Sequence, residues 1–83
     1  MPERTVLDNI RRVVADITHS SVDEIDENTT RQNLGAWDSV AHINVIVAIE
    51  TEFGVSFSVE EMNSIDSVQK LQQAIERTHA VRS

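Results

Sequence analysis

The spacing of apolar residues predicts a helix near the start of the chain. Apolar residues recur there at intervals of three and four positions, so they share one face of a helix while charged residues lie off that face. These residues are Leu7, Ile10, Val13, Val14 and Ile17. Thr5 with Asp8 three positions later resembles a capping box, in which Glu or Gln is the usual partner. We therefore predict a first helix over residues 5–18.

A long polar segment follows. Residues 19–37 have no sustained periodicity and are rich in Ser, Thr, Asn, Asp and Glu. Loops of this length are uncommon in small domains unless something fixes them. We expect Val22, Ile25 and Leu34 to anchor the loop to the core. We expect Gly35 to adopt a backbone conformation that favours glycine.

A second helix is predicted over residues 39–53. Asp38 suits its N-terminus, because the carboxylate can accept a hydrogen bond from an amide of the first turn. Gly54 stands where a left-handed C-cap is expected. The apolar residues of this helix spread round more than one face, and they are Val40, Ile43, Val45, Ile46, Val47, Ile49 and Phe53. Such a helix packs against several neighbours, so we expect it to be the central helix of a bundle.

Two further helix starts follow in the last third of the chain. Ser58 and Glu61 stand at capping-box spacing and predict a short helix over residues 59–63. Asp66 and Gln69 stand at the same capping-box spacing and predict a last helix over residues 67–79. Its apolar stripe consists of Val68, Leu71, Ala74 and Ile75. The predicted fold class is all-α, a four-helix bundle of three main helices and one short helix, with a long loop between helices 1 and 2.

Composition narrows the classes of function. The chain has 83 residues, which suits one domain over residues 1–83, and its lack of cysteine excludes disulfides and cysteine nucleophiles. Its net charge of −7 argues against binding to nucleic acid or to an anionic membrane surface. The longest apolar run, residues 45–49, is far too short to span a membrane. We therefore expect a cytoplasmic monomer that binds neither nucleic acid nor membrane.

The negative charge is concentrated in the middle of the chain. Residues 1–22 have a net charge of zero, residues 23–69 of −9 and residues 70–83 of +2, and Arg31 is the one basic residue of the middle segment. Such a bias commonly serves solubility. It can also steer basic partners onto the surface of the protein.

Ser39 is the candidate residue for a covalent modification. It is predicted at the first position of the second helix, where its side chain points outward from the end of the bundle. The free amides and the dipole of a helix N-terminus favour a phosphate nearby, so an exposed serine there is well placed to be joined to one. Asp followed by Ser before an apolar run is also an ordinary helix start.

The residues around Ser39 resemble a known motif. Residues 34–40, LGAWDSV, resemble the modification-site motif of the acyl carrier protein and peptidyl carrier protein superfamily. The resemblance continues through residues 48–50 and 52–54 and reaches residues 60–61 and 67–68. It covers nearly the whole chain, with the helices and the loop in the family's order.

The resemblance implies a function as a carrier. In this family a phosphopantetheinyl transferase moves 4′-phosphopantetheine from coenzyme A to the motif serine, here Ser39, with Asp38 as the motif residue and helix cap before it. The thiol of that group holds an acyl or aminoacyl group as a thioester, and the protein itself catalyses nothing. The implied partners are the transferase, an acyl- or aminoacyl-loading enzyme, and downstream synthase, condensing or transferase enzymes. They would dock on the negative second helix and the adjoining loop.

The chain departs from the family pattern at several positions. Val40 replaces the usual Leu, while Ala41 and Asn44 stand where fatty-acid-synthase carriers usually have acids. Trp37 lengthens the usual spacing from Gly to Ser, and Trp-Asp-Ser resembles discrete carriers of polyketide, nonribosomal peptide and D-alanyl systems. We predict a polyketide, nonribosomal peptide or other specialised pathway; a D-alanyl or fatty-acid carrier and an unmodified helical protein-interaction module are the alternatives. The candidate partner-recognition residues are Trp37, Val40, Ala41, His42 and Asn44.

Two other kinds of site are weighed against the carrier. Asp38, Ser39 and His42 suggest a catalytic triad, but a triad needs a pocket with an oxyanion site, and a bundle of this size offers none that is evident. We expect His42 to be a surface residue beside the prosthetic group, and Trp37 either to contact a partner or to cover the core. The three histidines lack metal-ligand spacing, so no metal site is predicted.

Overall fold

A computed structural model of the protein describes the backbone of residues 5–82 and the side chains of residues 5–77. This part of the chain contains four α-helices and no β-strand, with one isolated bridge between Thr30 and Ser67. The helices are α1 (Val6–Thr18), α2 (Ser39–Phe53), α3 (Val59–Ser64) and α4 (Val68–Arg82). The predicted all-α fold class, with three main helices and one short helix, is confirmed.

The first three helices begin at the predicted caps. The Thr5 hydroxyl accepts a hydrogen bond from the Asp8 amide at 3.1 Å, and the Asp38 carboxylate accepts one from the Ala41 amide at 2.9 Å. Before α3 the capping box led by Ser58 is formed in both directions. Each cap gives a partner to an amide that has none within its own helix.

The start of α4 differs from the prediction. Asp66 is the predicted cap, but the Ser67 hydroxyl accepts the hydrogen bond from the Lys70 amide, at 3.1 Å, and the helix begins at Val68. Asp66 instead forms an ion pair with Lys70, with 3.2 Å between Nζ and Oδ1. The prediction was wrong because Asp and Ser are adjacent here and both favour cap positions, so spacing alone does not choose between them.

The loop between α1 and α2 is anchored to the core at two of the three predicted positions. Ile25 is fully buried, and Leu34 packs against the core cluster. Val22 is exposed, so the prediction of a third apolar anchor was wrong. Val22 begins a short 3₁₀ turn, Val22–Glu24, and it contacts α1 through its carbonyl, which accepts a hydrogen bond from the Arg11 guanidinium at 3.0 Å.

The second half of this loop is tied to the start of α4. The Arg31 amide donates to the Asp66 carbonyl at 2.9 Å, and the Val68 amide donates to the Thr29 carbonyl at 3.0 Å. These two hydrogen bonds have the pattern of an antiparallel pair. They fix the backbone of the loop a few residues before α2 begins.

The left-handed backbone conformations of the described residues lie at helix ends. Gly54 ends α2 with φ 65°, as predicted, and His19 ends α1 with φ 58°. Gly35 does not have a positive φ, so the special conformation expected for it is absent. Glycine adopts this region at little cost, whereas a residue with a Cβ is strained there.

The core is formed where α1 packs against α2 and α4. The buried residues of α2 are Ala41, His42, Val45, Ile46 and Ile49. Three other apolar residues of α2 face outward, because Val40 is 70%, Ile43 52% and Val47 55% exposed. The prediction that the apolar residues of this helix pack against several neighbours was therefore wrong for these three residues. We call Val40, Ile43 and Val47 the outer stripe.

Candidate functional site

Ser39 is the first residue of α2, and its side chain is exposed. The residue before it, Asp38, is the N-cap. Its carboxylate accepts a hydrogen bond from the Ala41 amide at 2.9 Å, and its carbonyl accepts the first backbone hydrogen bond of the helix, from the His42 amide at 2.8 Å. These bonds hold the first turn in place. The Ser39 hydroxyl consequently lies at the surface, at the positive end of the helix dipole.

The guanidinium of Arg31 lies beside this hydroxyl. Its Nη2 donates to Ser39 Oγ at 3.4 Å, and its Nε donates to the Trp37 carbonyl at 3.4 Å. The loop therefore brings the one basic residue of residues 23–69 to the candidate serine. Sequence reasoning missed this contact. The signal that could have found it is the position of a lone cation in a strongly acidic segment, eight residues before the serine.

An open groove of about 420 Å³ adjoins Ser39 on the side of the loop. It is lined by Arg31, Gln32, Gly35, Trp37, Asp38, Ser39 and Asp66. No atom beyond its chain neighbours lies within 4 Å of the place where a Cβ on Gly35 would be. The serine hydroxyl thus faces solvent beside a polar groove that has room for a substituent.

Trp37 and His42 form a buried pair beneath the serine. Trp37 is 1% and His42 4% exposed, and the indole Nε1 donates to His42 Nδ1 at 3.1 Å. His42 Nε2 lies 2.8 Å from the Met62 carbonyl. Since Nδ1 accepts and a carbonyl can only accept, the ring carries its proton on Nε2. The pair thereby links the end of the loop to α2 and α3.

The burial of both side chains decides between the two roles predicted for Trp37 and contradicts the surface position predicted for His42. Trp37 covers the core and has almost no surface to offer a partner. The prediction of a surface His42 was wrong, because position 42 belongs to the buried face of α2 together with Val45, Ile46 and Ile49. These four positions are three and four apart, which is the spacing of one helix face.

The catalytic triad is not formed. Both ring nitrogens of His42 are engaged by other groups, and the Asp38 carboxylate accepts from the Ala41 amide. A serine nucleophile needs a base in hydrogen-bond contact with it. The group that contacts Ser39 Oγ is the Arg31 guanidinium, which cannot act as a base.

The remaining partner-recognition candidates separate into buried and exposed residues. Val40 and Asn44 are exposed on α2 close to Ser39, whereas Ala41 is buried. Sequence reasoning missed Ile43 and Val47, because it counted them among the apolar residues that pack against neighbouring helices. Their spacing could have found them, since they fall with Val40 on the face opposite the buried one.

The described residues form neither a metal-binding cluster nor a helix that could cross a membrane. Among residues 5–77, no group of three or more His, Asp or Glu side chains is placed to hold a metal ion. Within residues 5–82, none of the helices is both long and apolar enough to cross a membrane.

Comparison with known proteins identifies the family. A family model described as a phosphopantetheine attachment site matches residues 8–75. The chain is 37% identical over 83 residues to acyl carrier protein 3 of Ralstonia nicotianae, a match that spans 99% of this chain and 94% of that protein. Its fold is similar to the solution NMR structure of the holo acyl carrier protein from Geobacter metallireducens, with a TM-score of 0.78 and 22% identity over 92% of this chain and 87% of the other.

The chain therefore belongs to the phosphopantetheine attachment-site family. Within that family it is an acyl carrier protein, which carries acyl groups on covalently attached 4′-phosphopantetheine and catalyses no reaction itself. As a member of this family it interacts with a phosphopantetheinyl transferase and with partner enzymes. The protein supplies position and recognition, and the prosthetic group supplies the reactive atom.

Proposed function

We propose that Ser39 is the attachment residue for 4′-phosphopantetheine and that the chain carries acyl or aminoacyl intermediates of a polyketide, nonribosomal peptide or other specialised pathway. The observation that carries the assignment is the exposed Ser39 hydroxyl at the first residue of α2, beside an open groove. The prosthetic group ends in a thiol, which holds the cargo as a thioester. The proposal includes a monomeric carrier in the cytoplasm, in keeping with its acidic composition.

The residues around Ser39 fit a phosphate ester. The helix N-terminus and the Arg31 guanidinium supply positive potential at the hydroxyl. Asp38 is occupied as a cap, so its carboxylate oxygen Oδ1 is bound to the Ala41 amide. This arrangement keeps the first turn of α2 in one conformation while a transferase approaches the serine. We therefore assign Asp38 the role of positioning Ser39.

Partner enzymes are proposed to dock on α2 through the outer stripe and Asn44. The outer stripe presents three apolar side chains next to Ser39, and apolar contacts at the centre of an interface supply much of its affinity. The net charge of −9 in residues 23–69 would draw basic partner surfaces to this part of the protein. Asn44 stands where fatty-acid-synthase carriers usually have an acid, which supports a partner set different from theirs. Ala41, His42 and Trp37 are buried and have no part in this surface.

The attachment is tested by intact-protein mass spectrometry. The apo-protein is incubated with coenzyme A, Mg²⁺ and a promiscuous phosphopantetheinyl transferase. We expect a mass gain of one phosphopantetheine in the wild type and in Ser56→Ala, which alters an exposed serine beyond the opposite end of α2. We expect none in Ser39→Ala. A gain that persists in Ser39→Ala, or no gain in the wild type, overturns the assignment.

The pathway is tested on the protein isolated from its host. The intact mass of the loaded carrier, followed by fragmentation that ejects the pantetheine arm with its cargo, gives the composition of the acyl group. A polyketide intermediate or an amino acid other than alanine supports the proposed pathway class. A saturated fatty acyl series supports a fatty-acid carrier instead, and alanine supports a D-alanyl carrier.

A further inference from the structure

Arg31 is held at Ser39 although it has no acidic partner. Among the described residues no carboxylate oxygen lies within 4.0 Å of its guanidinium, while Arg11 and Lys70 are each paired with an Asp. Its side chain is partly buried. The two contacts that fix it are the Trp37 carbonyl and the Ser39 hydroxyl, both at 3.4 Å.

The backbone also holds Arg31 in place. Its amide donates to the Asp66 carbonyl at 2.9 Å, in the paired segment between the loop and α4. The Arg31 backbone is thus fixed at Asp66, and the guanidinium is oriented by the contact of its Nε with the Trp37 carbonyl. A preorganised Arg fork loses little conformational entropy when it binds an anion, and its geometry matches two oxygens of a phosphate.

We propose that Arg31 binds the phosphodiester formed when the prosthetic group is attached to Ser39. This inference rests on the proposed function. In the apo-protein Nη2 donates to Oγ. After attachment, Oγ becomes an ester oxygen bonded to phosphorus, and the two non-bridging oxygens are bonded to the same phosphorus. Because the guanidinium already contacts Oγ, we expect its N–H groups to reach these oxygens. Arg31 is the group that neutralises their single negative charge.

The acids that line the groove explain why a cation is needed. Asp38 and Asp66 both border it, and each would repel a phosphodiester placed between them. Arg31 lies on the loop side of the groove and offsets that repulsion. The contact also gives the prosthetic group a direction, because it draws the phosphate toward the loop and away from the outer stripe. The stripe then stays free for a partner enzyme while the phosphate is held.

The test uses NMR spectroscopy on the apo- and holo-proteins. Conversion to the holo form is first established by intact mass. We expect the Nε–Hε resonance of Arg31 to shift between the two forms, while that of Arg12, an exposed residue of α1, stays in place. We expect the ³¹P resonance of the holo-protein to shift in Arg31→Gln and to shift less in Arg31→Lys, which keeps the charge but loses the fork. Arg12→Gln is the matched control, with a ³¹P resonance like that of the wild type.

The outcomes separate this inference from the proposed function. If Ser39 takes no phosphopantetheine, the attachment proposal fails and the inference with it. If the holo form is made but the Arg31 Nε–Hε and the ³¹P resonance of Arg31→Gln both match their references, the inference alone is overturned. Trp37 fluorescence, compared between the wild type and Arg31→Gln, checks that the fold around the carbonyl is retained. If the role of Arg31 were purely structural, Arg31→Gln would change the Trp37 fluorescence. The ³¹P resonance would then be shifted as far in Arg31→Lys as in Arg31→Gln.

Discussion

The indole of Trp37 donates a hydrogen bond to His42 Nδ1 at 3.1 Å, and both side chains are buried directly below the serine of the site. The centroids of the two rings are 6.0 Å apart and the ring planes are tilted by 41°, so the rings do not stack face to face. The other nitrogen of His42 lies 2.8 Å from the Met62 carbonyl. This chain of three groups joins the loop, α2 and α3 in one place.

Removal of the His42 ring takes a hydrogen-bond partner from the buried Trp37 indole N–H and from the partly buried Met62 carbonyl. We expect His42→Leu to lower the free energy of unfolding by about 2–4 kcal/mol, since an unsatisfied buried donor or acceptor costs about 1–3 kcal/mol. Urea denaturation measures the loss. His19→Asn is the matched control, because His19 is exposed and Asn tolerates its left-handed backbone. A loss for His42→Leu no greater than that for His19→Asn would contradict the role of the hydrogen bonds.

The outer stripe is expected to serve docking and not stability. Ile43→Ser should change the free energy of unfolding by less than about 1 kcal/mol, because its side chain is half exposed. Ile46→Ala, on the buried face of the same helix, should cost about 2–5 kcal/mol. Under the proposed function, Ile43→Ser should also lower kcat/KM of the transferase for this carrier. An unchanged kcat/KM in Ile43→Ser and in Val47→Ser would exclude the stripe from that interface.

The two adjacent residues before α4 are expected to differ in their effect on stability. Ser67→Ala removes the cap and should cost about 1 kcal/mol. Asp66→Ala removes an exposed ion pair with Lys70, which is worth about 0–1 kcal/mol. Thermal unfolding of the two variants, with Lys70→Ala as the control for the ion pair, ranks them. A larger loss of stability in Asp66→Ala than in Ser67→Ala would show that Asp66 is the cap of α4.

A hydrogen bond from the Ser58 backbone amide, and a second one with the Ser58 side chain, lower the pKa of the Glu61 carboxyl below its usual value. A group whose folded pKa is depressed stabilises the protein above its unfolded pKa, and this contribution is lost as the pH falls through the folded pKa. We expect Ser58→Ala to raise the pKa of Glu61 only part of the way toward that of an unfolded chain, because the backbone amide of residue 58 still donates to the carboxylate. The free energy of unfolding should then fall less steeply as the pH is lowered. An NMR titration of the Glu61 carboxyl carbon measures this, with Ser56→Ala as control. An unchanged titration in Ser58→Ala would show that the Ser58 hydroxyl does not contribute to the lowered pKa.

The parts of the fold that depend on neighbours in the sequence could be predicted from it. Asp38 before α2 and Gly54 after it act within one turn of the chain, so their residue types suffice to place the ends of the helix. The apolar spacing of α1 likewise fixes its buried face. The fold class follows from such local signals in their order along the chain.

The parts that depend on packing could not be predicted in this way. The apolar composition of α2 does not say which of its faces meets α1, and so Ile43 and Val47 were not separated from the buried residues of the helix. The burial of His42 follows from the same choice of face. Arg31 reaches Ser39 because the loop is paired with α4 through Asp66, a contact between residues that the sequence gives no reason to bring together.

The link from the indole of Trp37 through His42 to the Met62 carbonyl has a practical consequence. The chain has one tryptophan and no tyrosine, so its ultraviolet emission comes from Trp37. Any movement of α3 away from α2 breaks the contact at the Met62 carbonyl and changes the polarity around the indole's hydrogen-bond partner. The native protein thus contains an optical reporter of the separation of these two helices, and stopped-flow emission could follow that separation during loading without an attached dye.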